Sequence, residues 1–193
     1  MKIYLLISTI LISSLSFAQT EIGGIELPNT IKIESDKADI SGAGIRKKLW
    51  IKLYAIGLYH NESTTSADKI IQSKKPMGIK IQILSRFISS QKLIAATQKG
   101  FEKSTHKHTK SIRTKIEYFL SLLEDPLTSG DVYDIQYHLN TGVRVYKNEE
   151  LKGIIKGTKF KQALYGIWIG DQPVSDKLRD AMLGENSSLQ VSK

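Results

Sequence analysis

Apolar residues along residues 49–59 occupy both alternating faces of the chain. Leu49, Ile51, Leu53, Ala55 and Gly57 fall on one face; Trp50, Tyr54, Ile56 and Leu58 fall on the other, with Lys52 the exception. A strand that is apolar on both sides is covered on both sides. The pattern therefore predicts a central strand, with Lys52 near an end or snorkelling to water. Residues 131–139 alternate differently, with Tyr133, Ile135, Tyr137 and Leu139 set against Asp134, Gln136 and His138. That is a strand with one dry face and one wet face. The same period points Ile79, Ile81 and Ile83 inward and Lys80 and Gln82 outward in a strand over 78–84. Asn140-Thr141-Gly142 reads as a hairpin turn, and residues 143–146 and 151–156 continue the meander through a second turn at 147–150.

Elsewhere the period lengthens to that of a helix. Leu93, Ile94, Thr97 and Phe101 form one stripe over 90–103; Ile112, Ile116, Phe119, Leu120 and Leu123 form another over 109–123, ended by Pro126. Residues 66–73 predict a short helix, and residues 159–169 a longer one carrying Phe160, Ala163, Leu164, Ile167 and Trp168. Ser175 is placed to cap a last helix that ends at Gly184. Short strands are predicted over 22–33, turning at Pro28-Asn29, and another over 38–45. Gly42 and Gly44 in that strand suggest a bulge or the close approach of another group. The order is strands, a helix pair, hairpins, then helices, with no βαβ repeat. This predicts an α+β fold, an antiparallel sheet covered by helices on one side.

The chain has 193 residues, 40% hydrophobic and 24% charged, which is the profile of one globular domain with a sizeable core. Its first residues read as a leader and not as part of that core. Lys2 precedes an apolar run over 3–16, and Ser16-Phe17-Ala18 has small residues where signal peptidase reads. The expected domains are a cleaved signal peptide over 1–18, one domain over 19–184, and a disordered tail over 185–193. The run is too short for a comfortable membrane span, and no second run of spanning length follows. The protein is expected to be exported, periplasmic or secreted, without a transmembrane segment once mature. It has no cysteine, so no disulfide and no thiolate enters its chemistry.

Net charge is +9, with Lys92, Lys99, Lys103, Lys107, Lys110, Arg113 and Lys115 concentrating much of it. No aromatic platform for stacking bases accompanies these residues, so they read as solvated outer faces of amphipathic helices and not as a nucleic-acid surface. His106-Lys107-His108 has no nearby carboxylate pair and reads as a solvated loop, not a metal site. His60 and His138 fall at strand ends and are expected at the surface. No phosphate loop, nucleophile elbow or dinucleotide fingerprint is present, and no metal or cofactor is expected.

Arg46 and Tyr54 remain as candidate ligand-binding residues. A tight turn through Lys47-Lys48 would bring them onto neighbouring strands. Arginine stays charged and offers a planar fork of donors that matches a carboxylate or phenolate; tyrosine can donate to the same anion. The bland alternative is a strand-end salt bridge beside a core tyrosine, and the residues alone leave both readings open.

At these positions the chain resembles the chalcone isomerase family, in particular its bacterial chalcone-isomerase-like branch. The resemblance rests on GAGIRKK at 42–48, KLYAIGLY at 52–59 and ALYGIWIGDQPVSDKL at 163–178, and it spans about residues 21–184. It implies an open-faced β-sandwich, a large antiparallel sheet with helices packed on it and a ligand cleft between them. In the plant enzymes of the family an arginine holds the substrate phenolate or product enolate, and Arg46 matches that arginine. The other catalytic positions do not carry over. Tyr54 stands at the threonine of the strand motif, and Ser89, Ala96 and Ile167 fall near the tyrosine, asparagine and second threonine. Non-catalytic fatty-acid-binding members keep an arginine and a tyrosine for a carboxylate, and Arg46 with Tyr54 is similar to that pattern.

Three functions compete on this basis. The first is an exported, non-catalytic binder of a small hydrophobic or amphipathic carboxylate such as a fatty acid. The second is an isomerase, an intramolecular lyase that recruits Tyr54, Tyr133 or Tyr137 for the missing groups and acts on a non-flavonoid or chalcone-like substrate. The third is a structural envelope protein that uses the basic helical face. No oligomeric state is implied.

Overall fold

The computed structural model describes residues 19–185. The expected signal peptide and residues 186–193 of the expected tail lie outside the described residues. Nine strands and five α-helices follow one another as β1 (Gln19–Ile22), β2 (Ile25–Pro28), β3 (Thr30–Ile33), β4 (Asp36–Lys48), β5 (Ile51–His60), α1 (Ala67–Gln72), β6 (Met77–Ile83), α2 (Ser90–Ser104), α3 (Arg113–Ser121), β7 (Val132–His138), β8 (Gly142–Lys147), β9 (Glu150–Ile155), α4 (Thr158–Ile169) and α5 (Asp176–Met182). β1 and β2 form a hairpin of their own. The other seven strands form one antiparallel sheet in sequence order, β3-β4-β5-β6-β7-β8-β9. This is the α+β, open-faced arrangement expected from the sequence.

One face of the sheet takes the helices. Phe101 of α2, Phe119 of α3 and Phe160 of α4 meet with ring centroids 5.7–5.9 Å apart, close enough for edge and tilted ring contacts. Ile56, Leu58, Ile79, Ile81, Tyr133, Ile135, Val143 and Val145 meet them from the strands. The other face is closed at one end by the start of the chain. Ile31 and Ile33 of β3 reach across to Gly78 in β6, and they pack with Ala38 and Tyr59 in a second cluster. β5 is therefore buried on both faces from Ala55 to His60, as its two-sided apolar pattern predicts.

Three expectations are corrected. The β4–β5 turn is formed by Leu49 and Trp50, not by Lys47-Lys48, and both residues lie outside the strands, in solvent. His60 is buried: its Nδ1 accepts a bond from Glu62 N at 3.1 Å, and burial lowers its pKa, so the ring is neutral. His138 is drawn into a cluster with Glu34, at 3.0 Å from its Nδ1, and Asp36, at 3.6 Å from its Nε2; Arg144 reaches the same Glu34 at 2.7 Å. Both histidines terminate strands, but β3 and the β3–β4 turn fold over β7 and take His138 out of open water.

The glycines of β4 have a physical cause. The strand carries a register shift between Ile40 and Gly42, and α5 lies directly against it. A Cβ on Gly42 would overlap Ala181 O and come within 2.7 Å of Met182 O; on Gly44 it would meet Leu178 Cδ1 at 2.8 Å. Helix backbone at Gly42, and helix side chains at Gly44, take the volume that a side chain on β4 would fill. Both suggestions made by the glycine pair, a bulge and a close approach, hold at this strand.

Candidate functional site

β3 pairs with β4 only from Asp36 to Asp39, so among the described residues the second half of β4 keeps β5 as its one hydrogen-bonded strand partner, with β1 lying against it. Along that edge lies a groove of about 610 Å³ lined by Ile22, residues 43–47, Ser175, Lys177, Leu178 and Ala181. Ser175 shapes its far wall, because its Oγ accepts the Leu178 N–H at 3.4 Å and starts α5 there. The floor is apolar, from Ile22, Ala43, Ile45, Leu178 and Ala181, and Arg46, Lys47 and Lys177 put cations on the rim.

Arg46 and Tyr54 are direct cross-strand partners in the β4–β5 ladder, so the structure brings the two predicted residues together on one face of the sheet. The Arg46 side chain donates from Nη1 to its neighbour's carbonyl, Lys47 O, at 2.8 Å. Among the described residues it takes part in no ion pair within 4.0 Å. The strand-end salt bridge considered for it is therefore absent among these residues.

Tyr54 sits behind the groove and is not part of its lining. Its hydroxyl accepts the Trp168 Nε1–H at 3.2 Å. Burial raises the phenol's pKa, opposed by the Trp168 bond and the charge of Arg46. A neutral phenol that already accepts from Trp168 keeps its own proton to donate. Trp168 is the partner that sequence reasoning missed. Its signal was present, since it lies in the same 163–178 motif, but helical period marks it only as apolar.

The other positions considered do not assemble a second polar group at this site. Ser89 caps α2, its Oγ accepting the Lys92 N–H at 3.3 Å. Ala96 faces solvent, and Ile167 is buried against Gly100. Tyr133 and Tyr137 are buried in β7 under the helices, where the Tyr137 ring lies 4.8 Å from Lys161 Nζ. Neither lines the groove. His106 is exposed and pairs with Asp171 at 3.0 Å; among the described residues no cluster of three or more His, Cys, Asp or Glu could hold a metal. Nor is any helix among them long and apolar enough to cross a membrane.

No curated protein matches this chain. Among solved structures, it is similar to a fatty-acid binding protein of Arabidopsis thaliana, with 19% identity and a TM-score of 0.69 over 86% of this chain and 96% of that one. At that identity the likeness is one of fold. A family model described as chalcone isomerase-like matches residues 19–184. That match spans the whole sheet and every helix described above, and on it this chain belongs to the chalcone isomerase-like family.

Proposed function

We propose that this protein is an exported, non-catalytic binder of a small amphipathic carboxylate such as a fatty acid. The observation that carries the reading is Arg46, a guanidinium with no acidic partner among the described residues, set on the rim of an apolar groove. A volume of 610 Å³ falls inside the range of about 300–1,000 Å³ usual for small-molecule sites. A carboxylate would take the two parallel N–H groups of the Arg46 fork, with Lys47 and Lys177 adding positive potential. The apolar part of the ligand would lie over Ile22, Ile45, Leu178 and Ala181. Tyr54 would donate its phenol proton to the same carboxylate or hold the Arg46 side of the strand pair in place. The fold shared with a fatty-acid binding protein is consistent with this use.

The isomerase reading requires a polar group beside Arg46 to activate an enone. Of the groups considered, Tyr54 alone stands beside Arg46, its hydroxyl already bonded by Trp168; Ser89, Ala96, Ile167, Tyr133 and Tyr137 all lie elsewhere, which favours binding over turnover.

Titration of delipidated protein with a long-chain fatty acid tests the reading, together with native mass spectrometry before and after lipid extraction. Arg46→Ala is expected to weaken binding by about ten- to a hundredfold, the worth of a charge-assisted hydrogen bond, and Tyr54→Phe by about fivefold. The fold should tolerate Arg46→Ala, because its one side-chain hydrogen bond among the described residues is to the adjacent backbone. If neither form of the protein carries or takes up acid, or if Arg46→Ala binds as the parent does, the reading fails. Export rests on the leader pattern of residues 1–18. N-terminal sequencing of protein recovered outside the cytoplasm should begin at Gln19; a chain starting at Met1 and confined to the cytoplasm would remove this part of the proposal.

A further inference from the structure

Tight two-residue hairpins favour Asn, Asp or Gly, because at least one residue must take a left-handed backbone. The β4–β5 hairpin instead turns on Leu49 and Trp50. Leu49 has φ +56°, a conformation that costs a bulky residue about 1 kcal/mol or more. Leu49 is 77% exposed and Trp50 83% exposed, so neither side chain recovers that cost by packing within the described residues.

The surroundings are basic. Lys47 and Lys48 precede the turn, both exposed, and Lys52 follows it. The loop after β6 begins beside the base of the hairpin, where Leu84 N donates to Leu53 O at 2.9 Å. It carries an exposed Arg86 and a Phe87 that is 56% exposed, with the guanidinium 5.5 Å from the ring centroid; Lys92 donates back to Phe87 O at 3.0 Å. Neither segment has an acidic residue: none occurs from Ile40 to Asn61, nor from Lys69 to Phe101. These two neighbouring segments at one end of the sheet thus present three large apolar side chains among exposed cations, with no carboxylate in either segment.

We propose that this end of the sheet docks on an anionic lipid bilayer, with Leu49, Trp50 and Phe87 entering the interface and Lys47, Lys48, Arg86 and Lys92 facing lipid phosphates. Tryptophan belongs at such an interface because its ring is apolar and its N–H is polar. Clustered lysines supply the attraction that a few apolar side chains cannot provide alone. The charge pattern of the two segments selects the occupant: their exposed apolar side chains are accompanied by cations alone, which an apolar protein partner would not need. Docking does not depend on what the groove holds, although Arg46 and Lys47 place the groove's rim at the foot of the same hairpin.

Co-sedimentation with vesicles of phosphatidylcholine alone, and of equal parts phosphatidylglycerol and phosphatidylcholine, tests this. The protein should bind the anionic vesicles and not the neutral ones, and lose binding as salt is raised. The Trp emission should shift to the blue on binding. That shift reports on Trp50, since Trp168 is already buried and bonded to Tyr54. Lys48→Gln should lower partitioning about fivefold, and Trp50→Ser about tenfold or more. Leu49→Asn separates function from folding: it should raise stability by relieving the turn while weakening vesicle binding. The proposal is overturned if anionic vesicles are not bound, or if binding survives Trp50→Ser. It is also overturned if loss follows Lys103→Glu and Lys107→Glu but not the hairpin variants. A dimer dissolved by Trp50→Ser, without vesicle binding, assigns the hairpin to a second copy and overturns it too.

Discussion

Gly42→Val should detach α5 and lower the stability of the fold by about 3 kcal/mol, the upper end of what overpacking costs. The new side chain has nowhere to go. Its Cβ alone overlaps Ala181 O and crowds Met182 O and Gly184 N, and these are backbone atoms of the helix and its cap. Side chains can rotate away from an intruder, whereas a helix must move as a body. α5 provides Leu178 and Ala181 to the groove floor and Lys177 to its rim, so ligand uptake should fall with stability. Gly44→Ala provides the graded case, because the nearest atom is Cδ1 at the flexible end of Leu178, which can give, while Ala181 Cβ stands further off at 3.2 Å. Urea unfolding of the two variants checks the order. Equal stabilities for Gly42→Val and the parent would mean that α5 does not need its close seat on β4.

The second large effect is expected at Lys161. This lysine of α4 is fully buried, yet it forms no ion pair among the described residues. Its Nζ donates to Ile71 O at 2.7 Å, Ser73 O at 2.9 Å and Ile70 O at 3.4 Å, the carbonyls at the C-terminal end of α1. Those carbonyls carry the negative end of the helix dipole. The Tyr137 and Tyr165 rings, 4.8 and 5.6 Å from Nζ, complete the cage. Ile70 O has a second donor in Ser73 N, so Lys161→Met orphans chiefly two carbonyls. At the usual cost of an unmade buried hydrogen bond the variant should lose about 2–5 kcal/mol.

Lys161 also gives the stability a pH dependence of known sign. Burial lowers its pKa from 10.5 to about 8. Between those values the unfolded chain holds a proton that the folded chain has released, so stability rises with pH across the window. The gain is complete above the unfolded value and is lost as pH falls through the folded one. The difference in stability between the parent and Lys161→Met should therefore widen from pH 7 to pH 10. Subtracting the variant cancels the tyrosines that titrate near the top of that range. A difference that stays flat would show that the three carbonyls and two rings hold the ammonium at its ordinary pKa.

Much of this architecture follows from local patterns. The two-faced strand at β5, the alternation of β7 and the glycine pair of β4 each depend on a rule that acts within a few residues. Arg46 and Tyr54 were legible because a short hairpin connects them. What stayed hidden depends on distant packing. Lys161 lies on a helix whose apolar period gives no hint that a lysine points inward; only the arrival of the end of α1 makes a buried ammonium acceptable. His60 and His138 end strands, but the first strands fold over that end. The Leu49-Trp50 turn reads as strand because its residues have strand-like chemistry and none of the usual turn chemistry. Tyr54's hydroxyl finds its partner, Trp168, on α4, 114 residues further along the chain, a pairing no spacing rule announces.

The strand order has a consequence for how the protein is made. Every strand of the seven-stranded sheet pairs with its neighbour in sequence, so the sheet can grow progressively as the chain lengthens. α5 breaks that order, since the last helix of the described chain returns to the edge of β4 near its start. The groove beside Arg46 is closed on that side by α5 alone. A chain still being synthesised, or one clipped before residue 176, would hold a nearly complete sheet without the groove proposed to take the ligand, so occupancy of that groove would report that the whole domain has been finished.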